Sequence, residues 1–194
     1  MMISDIKSRP VYRALAPEPT ASGHLLVVEG ETLTPALLAA FASAFGPVAP
    51  RLHTWLVGGP QDVGPHPGRL WRLGSLADVV DSLSCASRGF GIGDRLYVSG
   101  TEPFLWRVAE AAGHVGFASG QIQLHHAGSL RRRVWCTHCH SITDDVTTHI
   151  ADCAGCGRHL LVRDHFSRRL GAFMGVMVDA EAPGQVPARE EVFA

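Results

Sequence analysis

Short apolar runs alternate with amphipathic stretches over the first 130 residues of the chain. The β-branched, apolar run at 24–28 (HLLVV) predicts a strand, and Thr34 with Pro35 predicts the N-cap and first turn of a helix over 36–45. The same reasoning predicts further strands over 52–57, 95–99 and 121–125 and further helices over 76–85 and 102–112. Strands that alternate with helices of this length are typical of βαβ units, so we predict an α/β fold with a parallel sheet.

The pattern changes near residue 131. Four of the five cysteines lie beyond this point, whereas Cys85 lies apart at the end of a predicted helix, where we expect a buried, inert thiol. The last residues carry Pro183 and Pro187 without periodicity, which predicts a flexible tail. We therefore predict an N-terminal extension over 1–22, an α/β domain over 23–130, a four-cysteine domain over 131–177 and a flexible tail over 178–194.

The four clustered cysteines form two C-x2-C pairs separated by 13 residues: Cys136, Cys139, Cys153 and Cys156. Two such pairs supply the four thiolates of a tetrahedral zinc site, so we predict a small zinc ribbon, with Gly155 and Gly157 relieving strain in the second pair. Rubredoxin-like iron and an iron–sulfur cluster are alternatives, and His138 or His140 would be a substitute ligand. A site closed by four thiolates has no open position for water, so we predict a structural metal and no catalytic residue.

The charge of the chain excludes a strong general attraction to polyanions, because 17 basic residues face 18 acidic ones for a net charge of −1. Residues 131–169 nevertheless carry seven arginines against four aspartates, a local charge of +3. Many ribbons bind nucleic acid, but no series of aromatic residues alternates with these arginines for base stacking. We therefore expect a protein-docking face, with nucleic acid as the alternative.

No apolar run approaches the roughly 20 residues that span a bilayer. Residues 1–10 lack the apolar core of a secretory signal, which predicts a cytoplasmic protein with no membrane partner. Cytoplasmic thiols stay reduced, and this favours a metal thiolate over disulfides.

Residues 95–105 (RLYVSGTEPFL) resemble the strand, turn and helix near the end of the nicotinamide-binding module of ferredoxin reductase-like flavoproteins. The turn before the first helix resembles the pyrophosphate turn of the same module. The resemblance implies a nucleotide groove at Gly30, Thr34, Pro35, Ser99, Gly100, Thr101 and Glu102.

The chain departs from this module in three respects. Glu29 and Glu31 stand where the family has glycines, and two carboxylates would repel a pyrophosphate. Ser99 replaces the family's cysteine, and only 23 residues precede the first predicted strand, too few for the flavin-binding barrel. We therefore expect NAD(P)H to bind weakly or not at all.

Residues 121–140 and 165–175 carry a second resemblance, to the A-like family of dimethylamine monooxygenase subunits. With the reductase-like half, the resemblance covers roughly residues 20–178. It implies an accessory component of a multicomponent, cytoplasmic oxygenase that oxidatively demethylates secondary amines, with haem, flavin and iron–sulfur centres on partner subunits. The alternatives are an NAD(P)H-binding component that delivers hydride to a partner's flavin, and a zinc-ribbon protein that binds nucleic acid.

Residues 165–175 also admit two interpretations of their own. The adjacent Arg168 and Arg169 favour a docking element beside the metal site. The apolar residues recur at helical spacing, which is typical of an amphipathic terminal element: Phe166, Leu170, Phe173 and Met174. The two interpretations are compatible.

Overall fold

The computed structural model describes residues 8–86 and 89–194. They fall into two compact units. We call residues 12–128 the α/β unit, and residues 8–11 together with 129–194 the cysteine unit. No helix within the described ranges is long and apolar enough to cross a bilayer.

The α/β unit contains one five-stranded sheet and three helices. Its strands are β1 (His24–Glu29), β2 (Leu52–Val57), β3 (Arg69–Leu73), β4 (Arg95–Gly100) and β5 (Ile122–His126), and its helices are α1 (Pro35–Phe45), α2 (Leu76–Ala86) and α3 (Glu102–His114). The strand order is β3-β2-β1-β4-β5, and each neighbouring pair is parallel. The predicted α/β fold with a parallel sheet is confirmed.

Two apolar layers cover the faces of this sheet. Leu25 and Val27 of β1 lie in the cluster that α2 and α3 complete, while Leu26 and Val28 lie in the cluster that α1 completes. Successive side chains of a strand point to opposite faces, so a strand buried on both sides reads as a continuous apolar run. The HLLVV run has this form, and it places β1 at the centre of the sheet.

Two features of the α/β unit differ from the sequence prediction. β3 was not predicted, because Arg69–Leu73 is a half-exposed edge strand that has neither a continuous apolar run nor strict alternation. Cys85 is exposed rather than buried, because α2 packs through Val79 and Leu83 and its other side faces away from the core. Residues 12–22, predicted to be part of an extension, lie within this unit, where Leu15 and Ala21 are buried.

The cysteine unit contains a second, mixed sheet. Its strands are β6 (Arg132–Cys136), β7 (Ile142–Val146), β8 (Ile150–Asp152), β9 (His159–Ser167) and β10 (Ala172–Met177), in the order β7-β6-β10-β9-β8. Only β6 and β10 pair in parallel; the other neighbours are antiparallel. The helical spacing of Phe166 and Phe173 was misleading, because both lie on strands and face each other across the β9–β10 hairpin.

Both ends of the described chain contact this second sheet. Ser8 forms a bridge to His165 of β9. Phe193 is 9% exposed and packs on the guanidinium of Arg132, with 3.8 Å from the Arg132 Cζ atom to the ring centroid. The backbone N–H groups of residues 192 and 193 both donate to the carbonyl of Thr147. The segment predicted to be a flexible tail thus includes an anchored end.

Candidate metal centre

Two tight turns carry the four predicted ligands. Cys136 ends β6, and Cys139 lies in the turn that leads to β7. Cys153 follows β8, and Cys156 lies in the turn that leads to β9. A C-x2-C turn brings two thiols to the same side of a hairpin, and here the two hairpins face each other.

The two turns share one backbone pattern. The N–H of Cys136 donates to the carbonyl of Ser141, and the N–H of Cys153 donates to the carbonyl of Arg158. In both turns the residue four positions after the first cysteine donates back to the carbonyl of that cysteine. That residue has left-handed φ, 64° at His140 and 69° at Gly157. The glycine matches this conformation without strain, as predicted for Gly157.

Gly155 serves a different purpose, because it allows the two turns to approach each other. A Cβ atom at Gly155 would lie 2.2 Å from the Ser141 Oγ atom and 3.1 Å from the Cys139 Sγ atom. Both distances are shorter than van der Waals contact, so a larger residue would push the second turn away from the first.

The four Sγ atoms lie within 4.8 Å of one another. The Cys136 and Cys156 sulfurs are 3.9 Å apart, and the Cys139 and Cys153 sulfurs are 3.4 Å apart. A tetrahedron with metal–sulfur bonds of about 2.3 Å has sulfur–sulfur edges of about 3.8 Å. The donor set and its spacing therefore fit a thiolate-bound ion such as zinc.

The surroundings ionise the four thiols unequally. Hydrogen bonding by Ser141 lowers the pKa of the Cys139 thiol to about 6, and the backbone N–H of Arg158 lowers the pKa of Cys156. Burial raises the pKa of the Cys153 thiol to about 11. A divalent cation favours the thiolate form, so metal binding releases protons from the thiols that remain protonated.

The histidines near the cluster lie outside it. The Nδ1 atom of His138 lies 2.6 Å from a guanidinium nitrogen of Arg158, and His140 stacks on Trp135 with ring centroids 5.1 Å apart. Within the described residues, the group of side chains that could hold a metal consists of the four cysteines alone. Such a closed site can stabilise the unit but offers no position for a substrate.

The residues predicted to bind nucleotide meet at the carboxyl edge of the parallel sheet. Gly30 follows β1, Thr34 is the N-cap of α1 and accepts a hydrogen bond from the N–H of Leu37, and Pro35 is the first residue of α1. At the neighbouring strand end, Ser99 and Gly100 close β4, and Thr101 and Glu102 begin α3. The switch point between β1 and β4 is where sheets of this type bind ligands.

The side chain of Glu29 occupies this switch point. Its Oε2 atom accepts a hydrogen bond of 2.6 Å from the backbone N–H of Thr101, at the N-terminus of α3. A carboxylate is favourable there because the N-terminus of a helix carries partial positive charge. The donor that a bound phosphate would use is thus already engaged by an internal anion. The sequence pointed to the charge of Glu29 but not to this contact.

The consecutive arginines 131–133 are partnered within the cysteine unit. The Arg131 Nε atom lies 3.4 Å from Asp145, an Arg132 guanidinium nitrogen 2.9 Å from Asp164, and the Arg133 Nε atom 3.0 Å from Asp144. Arg132 and Arg133 are both buried. These three arginines therefore hold strands together and do not form an open basic face.

Comparisons with known proteins agree with the second resemblance. A family model described as dimethylamine monooxygenase subunit DmmA-like, C-terminal domain, matches residues 133–176. The heme-dependent oxidative N-demethylase delta subunit of Ectopseudomonas mendocina (strain ymp) is 35% identical over 111 residues, which cover 57% of this chain and 63% of that relative, less than two thirds of its length. No solved structure matches the chain. The resemblance predicted from sequence is confirmed, and residues 133–176 belong to the DmmA-like C-terminal domain family.

Proposed function

We propose that this chain is an accessory subunit of a multicomponent, cytoplasmic oxygenase that oxidatively demethylates secondary amines. In this proposal the haem, flavin and iron–sulfur centres reside on partner subunits, and the chain has no redox centre of its own. The similarity to a subunit of a heme-dependent oxidative N-demethylase supports the assembly and the class of reaction.

The observation that carries the proposal is the closed set of four thiols inside the DmmA-like domain. Cys136, Cys139, Cys153 and Cys156 would hold one zinc ion in a zinc ribbon, and zinc would supply folding energy without redox chemistry. All four ligand positions belong to the protein, so the site would neither activate water nor exchange electrons. A protein built around such a site contributes structure and contacts to an assembly.

The main alternative is an NAD(P)H-binding component, and the strand order favours it. Five parallel strands in the order β3-β2-β1-β4-β5 match the order of dinucleotide-binding halves and of the reductase module. Glu29 argues against occupancy, because its carboxylate takes the Thr101 N–H and adds negative charge beside any bound pyrophosphate. We interpret the α/β unit as a reductase-like module that has lost its nucleotide.

We therefore expect the purified full chain to bind NADPH with a dissociation constant weaker than about 1 mM, or less than about 4 kcal/mol of binding free energy. Isothermal titration calorimetry measures this directly. A micromolar dissociation constant that the Thr34→Arg substitution abolishes would contradict the proposal, because a long side chain at the α1 N-cap would block the groove. The electron-transfer alternative would then take precedence.

A nucleic-acid-binding ribbon is the weaker alternative. The aspartates that partner Arg131, Arg132 and Arg133 neutralise much of the local charge that suggested it. Tight binding to a duplex uses roughly 6–10 phosphate contacts, and that number of unpaired cations is not available on the described surface of this unit.

Co-purification tests the proposed function. The tagged full chain is co-expressed with the other subunits of the N-demethylase from the same genome, and the complex is isolated by size-exclusion chromatography. We expect the chain to co-elute with the redox-active subunits, and demethylation of dimethylamine to fall when the chain is omitted. The proposal is wrong if the remaining subunits assemble and demethylate at an unchanged rate without it.

A further inference from the structure

The arginines of the cysteine unit fall into two groups. Most of them contact a carboxylate or a histidine within the unit: Arg9, Arg131, Arg132, Arg133, Arg158 and Arg189. Among the described residues, Arg163, Arg168 and Arg169 have no hydrogen-bonding or ion-pair partner. Arg168 and Arg169 are exposed and adjacent, in the turn that joins β9 to β10. Neither side chain therefore has a structural task that the rest of the unit reveals.

The turn that carries these two arginines is held firmly. The Ser167 Oγ atom accepts a hydrogen bond of 3.3 Å from the N–H of Leu170, and Gly171 adopts the left-handed φ of 55° that closes the turn. Below it, Phe166 and Phe173 pack edge to face with ring centroids 4.9 Å apart. A fixed backbone reduces the entropy lost when the two side chains engage a partner.

We propose that the tip of the β9–β10 hairpin, through Arg168 and Arg169, is a docking site for a carboxylate-bearing face of another protein of the assembly. The inference rests on the proposed function, because it names the surface through which the accessory chain would attach. Guanidinium groups bind carboxylates through two parallel hydrogen bonds and lose water at lower cost than ammonium groups, so arginine is favoured at interfaces.

Carboxylates suit this tip better than phosphates do. Two adjacent guanidinium groups match one or two acidic side chains, whereas membrane recognition by basic residues uses clusters of about 4–8. Nucleic acid would need a longer basic track, and the neighbouring arginines 131–133 are engaged by aspartates. The charge of the pair would also speed association with an acidic partner.

The test compares two double charge reversals in the full chain, co-expressed with the other N-demethylase subunits. One variant carries Arg168→Glu and Arg169→Glu. The matched control carries Arg13→Glu and Arg69→Glu, two exposed arginines of the α/β unit. Circular dichroism and zinc content check that both variants fold, and Arg168→Gln with Arg169→Gln serves as a milder variant if the reversal disturbs folding.

We expect the hairpin reversal to weaken binding to the partner subunits by about tenfold or more at 0.15 M salt, while the control binds like the wild type. Unchanged affinity of the folded hairpin variant would overturn the proposed surface and leave the proposed function standing. Failure of the wild type to bind the subunits would overturn both. Binding of a single-stranded or duplex oligonucleotide with a steep salt dependence, lost in the hairpin variant, would assign the tip to nucleic acid instead.

Discussion

Replacement of Cys139 by serine is expected to remove the metal and unfold the cysteine unit. A structural zinc site of four thiolates contributes about 10–16 kcal/mol of binding free energy in small domains, which exceeds or equals the whole stability of about 5–15 kcal/mol that a typical domain has. A hydroxyl in place of one thiolate leaves three soft ligands and an incomplete tetrahedron. The strands that carry the turns, β6 to β9, then lose the link between their two hairpins.

Limited proteolysis followed by mass spectrometry measures this effect by region. We expect rapid cleavage within 129–194 in the Cys139→Ser variant, while 12–128 stays protected because the α/β unit has apolar clusters of its own. Cys85→Ser is the matched control, since Cys85 is an exposed thiol in the other unit. A Cys139→Ser variant that keeps one zinc per chain and the wild-type cleavage pattern would refute the assignment of this ligand.

Replacement of Arg132 by alanine should have the second largest effect. The guanidinium lies between two phenyl rings, with its Cζ atom 3.9 Å from the centroid of Phe173 and 3.8 Å from that of Phe193, and it pairs with Asp164. Removal of one member of a buried ion pair costs about 3–5 kcal/mol, because it leaves an uncompensated charge and a cavity. Urea denaturation of the cysteine-unit signal measures this loss.

The matched control is Arg131→Ala, whose partner Asp145 is largely exposed, so the expected loss is below about 1 kcal/mol. Burial opposes ionisation of Asp164, but hydrogen bonds from Arg9 and Arg132 outweigh it and lower the pKa of that carboxyl. A lowered folded pKa gives stability that is present at neutral pH and is lost as the pH falls through and below 3.8, the ordinary value. The difference between the two variants should therefore narrow in acid. Equal losses at neutral pH would contradict the role assigned to Arg132.

The sequence predicted the central elements of the α/β unit because their apolar patterns are determined locally. The buried run of β1 and the N-cap of α1 at Thr34 lie where the pattern indicated. β3 escaped prediction because an edge strand is covered on fewer sides and its Arg69 and Arg72 interrupt the pattern. Strand pairing, not local composition, assigns this segment to the sheet.

The β9–β10 hairpin shows how one spacing can arise from two structures. Phe166 and Phe173 are seven residues apart, which places them on one face of a helix, but a chain that reverses at Gly171 also brings them together across two strands. The β-branched and apolar residues of 160–162 were the better local signal, since they predict a strand.

The candidate site divides in the same way. The four cysteines were identifiable because C-x2-C spacing is itself a local geometric constraint on a metal site. The contact between Glu29 and the Thr101 N–H joins residues 72 positions apart, and the packing of Phe193 on Arg132 joins the chain end to β6. Long-range contacts of this kind depend on the assembled sheets, so no motif in the sequence indicates them.

Elemental analysis with a visible absorption spectrum, on the purified full chain, tests most directly whether this protein has a closed zinc site and no redox centre of its own. We predict about one zinc per chain and no absorption from haem, flavin or iron–sulfur groups. One iron per chain, with the visible charge-transfer bands of iron thiolates, would contradict both the metal assignment and the accessory role.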